Sequence, residues 1–287
     1  MPYVTSNDVR IYYETTGAGS PIIFCHEFAG GYESWEAQVQ HFSSRYQAIT
    51  WNVRGYPPSD VPETLDAYSQ DVSIEDLRAV MDELGISTAH LVGFSMGGNI
   101  ALNFALKYPN RTTSLVLAGT GSGSMDPDGF RARLEDFAAA LERDGMAGME
   151  DYVRGPQRVQ YMFKDPGGWQ RFADSFARHS ATGAAFTFRG VLARRPPIGD
   201  LLPRLEKLEA PALILTGDED DPCIEPALLM KQYIPRAGLA VFPRTGHTIN
   251  LEEPELFNRS VQDFLDAVDR GEWLERDAGS GAGFSGT

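Results

Sequence analysis

The sequence predicts an α/β protein: a mostly parallel central sheet with helices on both faces and one helical insertion. Two patterns carry that expectation. Short apolar runs alternate with segments of helical period along most of the chain, which is how strand–helix–strand units read. A serine also stands between glycines, in Gly93-Phe94-Ser95-Met96-Gly97, where the apolar run 90–92 gives way to the helix-like stretch 98–102. A sharp strand-to-helix turn strains the backbone and crowds neighbouring side chains, so glycines on both sides suit it.

Each element follows from local pattern. Residues 9–15 alternate and close at Gly17, a strand ending in a turn. The apolar run 21–25 reads as a strand buried on both faces. Ser34 is a candidate cap for a helix through Trp35, Val39 and Phe42, and 48–51 is the next strand. Ile74, Leu77, Val80, Met81 and Leu84 have helical spacing, stopped by Gly85. Strands 91–92, 115–118, 212–215 and 239–242 complete the set. The alternation breaks between 121 and 210, where Phe130, Leu134, Phe137, Leu141, Trp169, Phe172 and Phe176 give only helical patterning. The expected organisation is a core of residues 1–120 and 211–270, a helical cap of 121–210, and a flexible Gly/Ser-rich tail of 271–287.

Composition narrows the function. The 287 residues are 42% hydrophobic, an ordinary globular value, and carry a net charge of −15. That charge argues against nucleic acid and anionic membranes as partners. No apolar run approaches a membrane span, and the first eight residues lack the positive flank and apolar core of a signal peptide. Cys25 and Cys223 are too few for a disulfide framework and read as free thiols in a reducing cytoplasm. No Cys/His spacing suits a metal. The expected partner is a small-molecule substrate, with no cofactor and room for a homo-oligomer.

A serine hydroxyl needs a base, and the base needs an orienting acid. Strand ends supply both: Gly217-Asp218-Glu219-Asp220-Asp221 after 212–215, and Thr245-Gly246-His247 after 239–242. The order nucleophile, acid, histidine resembles that of the α/β-hydrolase family, as does nearly the whole chain. Five motifs carry the resemblance in order: Cys25-His26-Glu27-Phe28-Ala29-Gly30-Gly31, Asn52-Val53-Arg54-Gly55-Tyr56, the Ser95 turn, the Gly217–Asp221 turn, and Gly246-His247 followed by Glu252-Glu253-Pro254.

The resemblance implies an α/β-hydrolase fold with a helical cap and a catalytic triad of Ser95, Asp220 and His247. Asp218 and Asp221 compete with Asp220 for the acid. The backbone N–H groups of Phe28 and Met96 are the implied oxyanion hole. His26 is expected to brace that loop, and His41, His90 and His179 to be structural. Glu27 departs from the family's usual glycine; its carboxylate must point away or pair with a cation such as Arg54. The Arg54-Gly55 turn reads as structural. Aromatic residues of the cap, namely Tyr161, Phe163, Trp169, Phe172, Phe186 and Phe188, are expected to line the substrate cleft.

The activity implied is hydrolysis of a small, largely apolar carboxylic ester or lactone through an acyl-enzyme. Serine at the turn argues against the haloalkane dehalogenase and epoxide hydrolase branches, which use aspartate there. Carbon–carbon bond hydrolysis of a ring-cleavage diketone is the alternative, although Thr248 stands where the familiar enzymes of that type place tryptophan. A non-catalytic ligand receptor on the same scaffold is a third reading.

Overall fold

A computed structural model describes residues 2–275. Eight strands form the sheet: β1 (Tyr3–Ser6), β2 (Val9–Thr16), β3 (Ser20–Cys25), β4 (Tyr46–Trp51), β5 (Ala89–Phe94), β6 (Thr112–Ala118), β7 (Ala212–Gly217) and β8 (Ala237–Phe242). Their spatial order is β1-β2-β4-β3-β5-β6-β7-β8. The β1–β2 and β2–β4 pairs are antiparallel, and every later pair is parallel. The central strands are buried at almost every position because helices cover both faces.

The core helices are α1 (Glu36–Phe42), α2 (Gln70–Glu83) and α3 (Met96–Lys107). The 121–210 insertion holds α4 (Pro127–Asp144), α5 (Glu150–Val153), α6 (Val159–Lys164), α7 (Pro166–Phe176), α8 (Ala181–Phe186) and α9 (Ile198–Leu205), without a strand among the described residues. Then come α10 (Asp221–Tyr233), α11 (Ile249–Glu252) and α12 (Pro254–Asp269). One apolar cluster packs α2, α3 and the insertion against one face of the sheet, with Ile23, Leu91 and Leu117 at its base. The other packs α1 and α12 against the opposite face, around Trp35, Phe257 and Phe264.

The insertion leaves after β6 and returns before β7, adjacent parallel strands, so both its ends lie at the C-terminal edge of the sheet. Ligands of open α/β sheets bind at that edge.

Two local expectations need adjustment, and one strand was not expected. Ser34 does not cap α1; it lies in a single tight turn, Tyr32–Trp35, where its Oγ accepts from Gly31 N at 3.1 Å. β1 carries no strong sequence signal, since only Val4 and Ser6 of its four residues face inward. At the C-terminus, Trp273 is docked rather than loose. Its ring stands edge-on to Phe264 at 4.7 Å, and its indole N–H donates to Arg236 O at 2.9 Å. The rest of the expected tail, 276–287, lies outside the described residues.

Candidate active site

The serine turn is held by close backbone packing. Ser95 has φ 53°, the left-handed region that L-residues with side chains rarely occupy, so the surrounding fold must impose it. Its N–H donates to Ala118 O on β6 at 2.8 Å. A Cβ on Gly97 would lie 2.0 Å from Cys25 O, and one on Gly93 would lie 2.4 Å from Gly97 O. Any side chain at either position would therefore push β3 or α3 out of place. The loop after β3 and the first turn of α3 are thus in van der Waals contact.

Three side chains meet above this turn. His247 Nε2 lies 3.0 Å from Ser95 Oγ, and His247 Nδ1 lies 2.7 Å from Asp220 Oδ2. Ser95 is 8% exposed, and Asp220 and His247 are buried. Gly119 makes room for the imidazole: a Cβ there would lie 3.2 Å from His247 Cε1 and 3.3 Å from Asp220 Oδ2. Burial alone raises the Asp220 carboxyl, but attraction to His247 and hydrogen bonds from His247, Cys223 and Gln157 outweigh it, leaving it below its ordinary range. An anionic acid at Nδ1 fixes Nε2 as the acceptor facing the serine. Asp218 and Asp221 are exposed; Asp218 Oδ1 instead accepts from Thr245 N at 3.0 Å.

The two N–H groups proposed for oxyanion binding belong to the contacting segments. Met96 N opens α3 and Phe28 N lies in the loop after β3; neither donates to a protein acceptor among the described residues. The helix N-terminus adds positive potential behind Met96. His26 braces the loop, accepting from Val53 N at Nε2 (3.1 Å) and so donating from Nδ1 to Glu27 O (2.6 Å). Burial pushes its pKa down to about 4, keeping the ring neutral.

Glu27 is buried, and its partner is Arg158 of the cap, at 2.7 Å with both side chains 2% exposed. Arg54, the cation named from sequence, is engaged elsewhere: its Nε and Nη2 each donate to Asp76 at 2.7 Å. Arg158 also lies over the Tyr152 ring at 4.6 Å. Without a cation Glu27 would be a bare buried charge in the candidate oxyanion loop, so the pair neutralises what the departure from glycine introduces.

The six cap aromatics separate. Phe188 stacks on Phe28 with ring centroids 3.9 Å apart, directly against the candidate oxyanion loop. Phe186 faces Tyr68 at 5.4 Å, at the seam between cap and core. Tyr161 and Phe172 pack edge to face at 6.3 Å, and Arg158 lies 5.4 Å from the Phe172 ring. Trp169 belongs to the cap's own packing, under Arg154 at 4.9 Å. Phe163 is 70% exposed on α6, a correction: its helical position points it to solvent, and it lines no cleft. Phe137, Tyr152 and Phe176, not singled out for the cleft from sequence, complete the aromatic cluster around Phe28 and Phe188.

Asp220, Cys223 and His247 also bring three potential ligand atoms within 4.8 Å of one another, a grouping with no sequence signal. Burial pushes the Cys223 thiol far up, and its Sγ hydrogen-bonds Gly119 O at 3.3 Å. A protonated thiol is a poor metal ligand, so the donor set is suited to hydrogen bonding.

A second cluster of the same residue types lies elsewhere. His90 Nδ1 is 2.8 Å from Ser114 Oγ, and His90 Nε2 is 3.4 Å from Asp269 Oδ1. Ser114 is fully buried within β6.

A left-handed serine between strand and helix, with acid and histidine presented by later strand ends, defines an α/β hydrolase. Residues 20–254 match the alpha/beta hydrolase fold family, and the chain belongs to that family; it is a hydrolase of this fold. It is 30% identical over 281 residues to the 2-hydroxy-6-oxo-6-phenylhexa-2,4-dienoate hydrolase of Burkholderia cepacia, covering 92% of this chain and 95% of that one. Among solved structures it resembles a thermophilic esterase from Thermogutta terrifontis, with TM-score 0.83 and 25% identity over 93% of this chain and 98% of that one. It also resembles Est816, an N-acyl homoserine lactone degrading enzyme, with TM-score 0.76 and 26% identity over 92% and 100%.

Proposed function

We propose that the protein is a serine hydrolase of small, largely apolar carboxylic esters or lactones, with Ser95, His247 and Asp220 as its catalytic triad. The observation that carries this reading is the continuous hydrogen-bonded path from Ser95 Oγ through His247 to Asp220. Ser95 Oγ attacks the carbonyl carbon while His247 Nε2 takes its proton. The oxyanion that forms accepts from the Phe28 and Met96 N–H groups, whose positions are fixed before the substrate arrives. As the tetrahedral species collapses, His247 returns the proton to the leaving oxygen, and water resolves the acyl-enzyme by the same steps. The buried aromatic cluster of Phe28, Phe188, Tyr152 and Phe176 gives the surroundings of Phe28 an apolar character, which supports an apolar acyl group.

The Burkholderia cepacia relative supports a second reading, hydrolysis of a carbon–carbon bond in a dienoate ketone. The same Ser95 would then serve a substrate carrying a carboxylate. A panel of p-nitrophenyl esters, lactones and a 6-oxodienoate separates the two. Ester or lactone turnover that exceeds dienoate cleavage in kcat/KM and vanishes in Ser95→Ala supports the first reading, and the opposite ranking supports the second.

A further inference from the structure

Gln157 lies in the cap, in a tight turn just before α6, and its side chain reaches the acid of the core. Its Nε2 donates to Asp220 Oδ1 at 3.1 Å, the oxygen that His247 does not use. Its backbone carbonyl accepts from His247 N at 2.7 Å. A Cβ on Gly246 would lie 2.2 Å from that carbonyl, so glycine before the histidine is what lets the cap approach. The next residue, Arg158, closes the buried pair with Glu27. Two consecutive cap residues therefore touch the acid, the histidine and the oxyanion loop.

We propose that Gln157 is a positioning residue for the Asp220–His247 pair, making the docked cap part of the triad's assembly. This rests on the triad reading above. A buried carboxylate whose second oxygen lacks donors can rotate about χ2 and tilt away from the imidazole plane. The Gln157 amide ties that oxygen and holds the plane. The titratable groups around Asp220 are His247 and Cys223, with Arg158 and Tyr152 at longer range. Removing the amide leaves the carboxylate less stabilised, so it holds the imidazolium proton more strongly. The acid limb of the labelling-rate profile then moves to higher pH. Two neighbouring cap side chains bond elsewhere: Gln160 bonds exposed Glu219 at 2.9 Å, and Lys164 bonds Glu252 at 3.0 Å.

The test compares Gln157→Leu, Gln157→Glu and, as a control, Gln160→Ala. Each keeps the backbone carbonyl that docks the cap on His247. The readout is the rate at which a fluorophosphonate labels Ser95, followed from pH 5 to 9, with Tm measured alongside. Gln157→Leu is expected to slow labelling about 10-fold to 100-fold, the effect of losing a hydrogen bond to a charged group. Its acid limb should move to higher pH, further in Gln157→Glu, while Gln160→Ala matches wild type. Wild-type labelling in Gln157→Leu overturns the proposal, as does a slowing that follows a lowered Tm with an unmoved pH profile. If the probe labels Ser95→Ala as well as wild type, the triad reading itself fails.

Discussion

Ser95 and Ser114 both lie within hydrogen-bond reach of a histidine that has a carboxylate beyond it, yet their surroundings differ in every other respect. Ser95 occupies a left-handed turn at the edge of the sheet, with the start of α3 behind it. Ser114 lies within β6, which is paired on both sides by β5 and β7. His247 uses Nδ1 for a buried acid and Nε2 for the serine; His90 is wired the other way round, to an Asp269 that is 38% exposed and also accepts from Tyr46 Oη. On the proposed reading, residue types alone do not make a nucleophilic site: the backbone must also present the hydroxyl at a turn, leave N–H groups free, and keep the acid dry.

That comparison breaks most sharply at the serines. Ser95→Ala should lower turnover by about 10^6, and Ser95→Ala/His247→Ala should be no worse than either single variant, because the groups act as a unit. Ser114→Ala should leave kcat/KM unchanged and cost about 1 kcal/mol of stability for the lost hydrogen bond. Next come the acids: Asp220→Asn should reduce kcat by about 10^4 through loss of the correct imidazole orientation, with Asp269→Asn and Asp218→Asn near wild type. Steady-state kinetics at equal folded concentration reads the serine and the acid variants.

The cap sharpens the contrast between a site and its support. Trp169→Ala should lose about 3–5 kcal/mol of stability with ester-chain preference unchanged, since its ring packs within the cap. Phe188→Ala should also change that preference, because it removes the ring stacked on Phe28. Phe163→Ala should change neither. Chemical denaturation and a chain-length series give the two readouts.

The smallest effect is on stability against pH. Burial holds His26 down to about 4 and His179 to about 3, against an ordinary 6.5. Both folded pKa values lie below the unfolded value, so the unfolded chain takes up protons first. The contribution is complete above about pH 6.5 and is lost as pH falls toward 4, at up to about 1.4 kcal/mol per pH unit for each histidine. His179→Phe, which also removes a buried Nδ1 without a partner, should flatten that slope between pH 6 and 4.

The core and its candidate triad were legible because they rest on local signals. Buried parallel strands read as apolar runs, and Gly93, Gly97 and Gly246 mark places where backbones must touch. What the cap contributes was not legible. Arg158 and Gln157 are ordinary polar residues in a helical stretch, and only the docking of the cap brings them to Glu27 and Asp220. The glutamate at position 27 left two outcomes open, pointing away or pairing with a cation; it pairs, with Arg158, while Arg54 is committed to Asp76. For the aromatics, helical period gave burial without direction. It could not separate Phe188, which meets the loop after β3, from Trp169, which packs inside the cap, or from solvent-facing Phe163.

The central claim is that Ser95, lifted by its strained turn and joined through His247 to Asp220, is the nucleophile. Fluorophosphonate labelling of the wild-type protein, with the adduct located by peptide mass spectrometry, tests it most directly. A single phosphonylated residue, Ser95, is expected, with no adduct in Ser95→Ala and labelling strongly slowed in His247→Ala. An adduct on another residue, or undiminished labelling in Ser95→Ala, would contradict it.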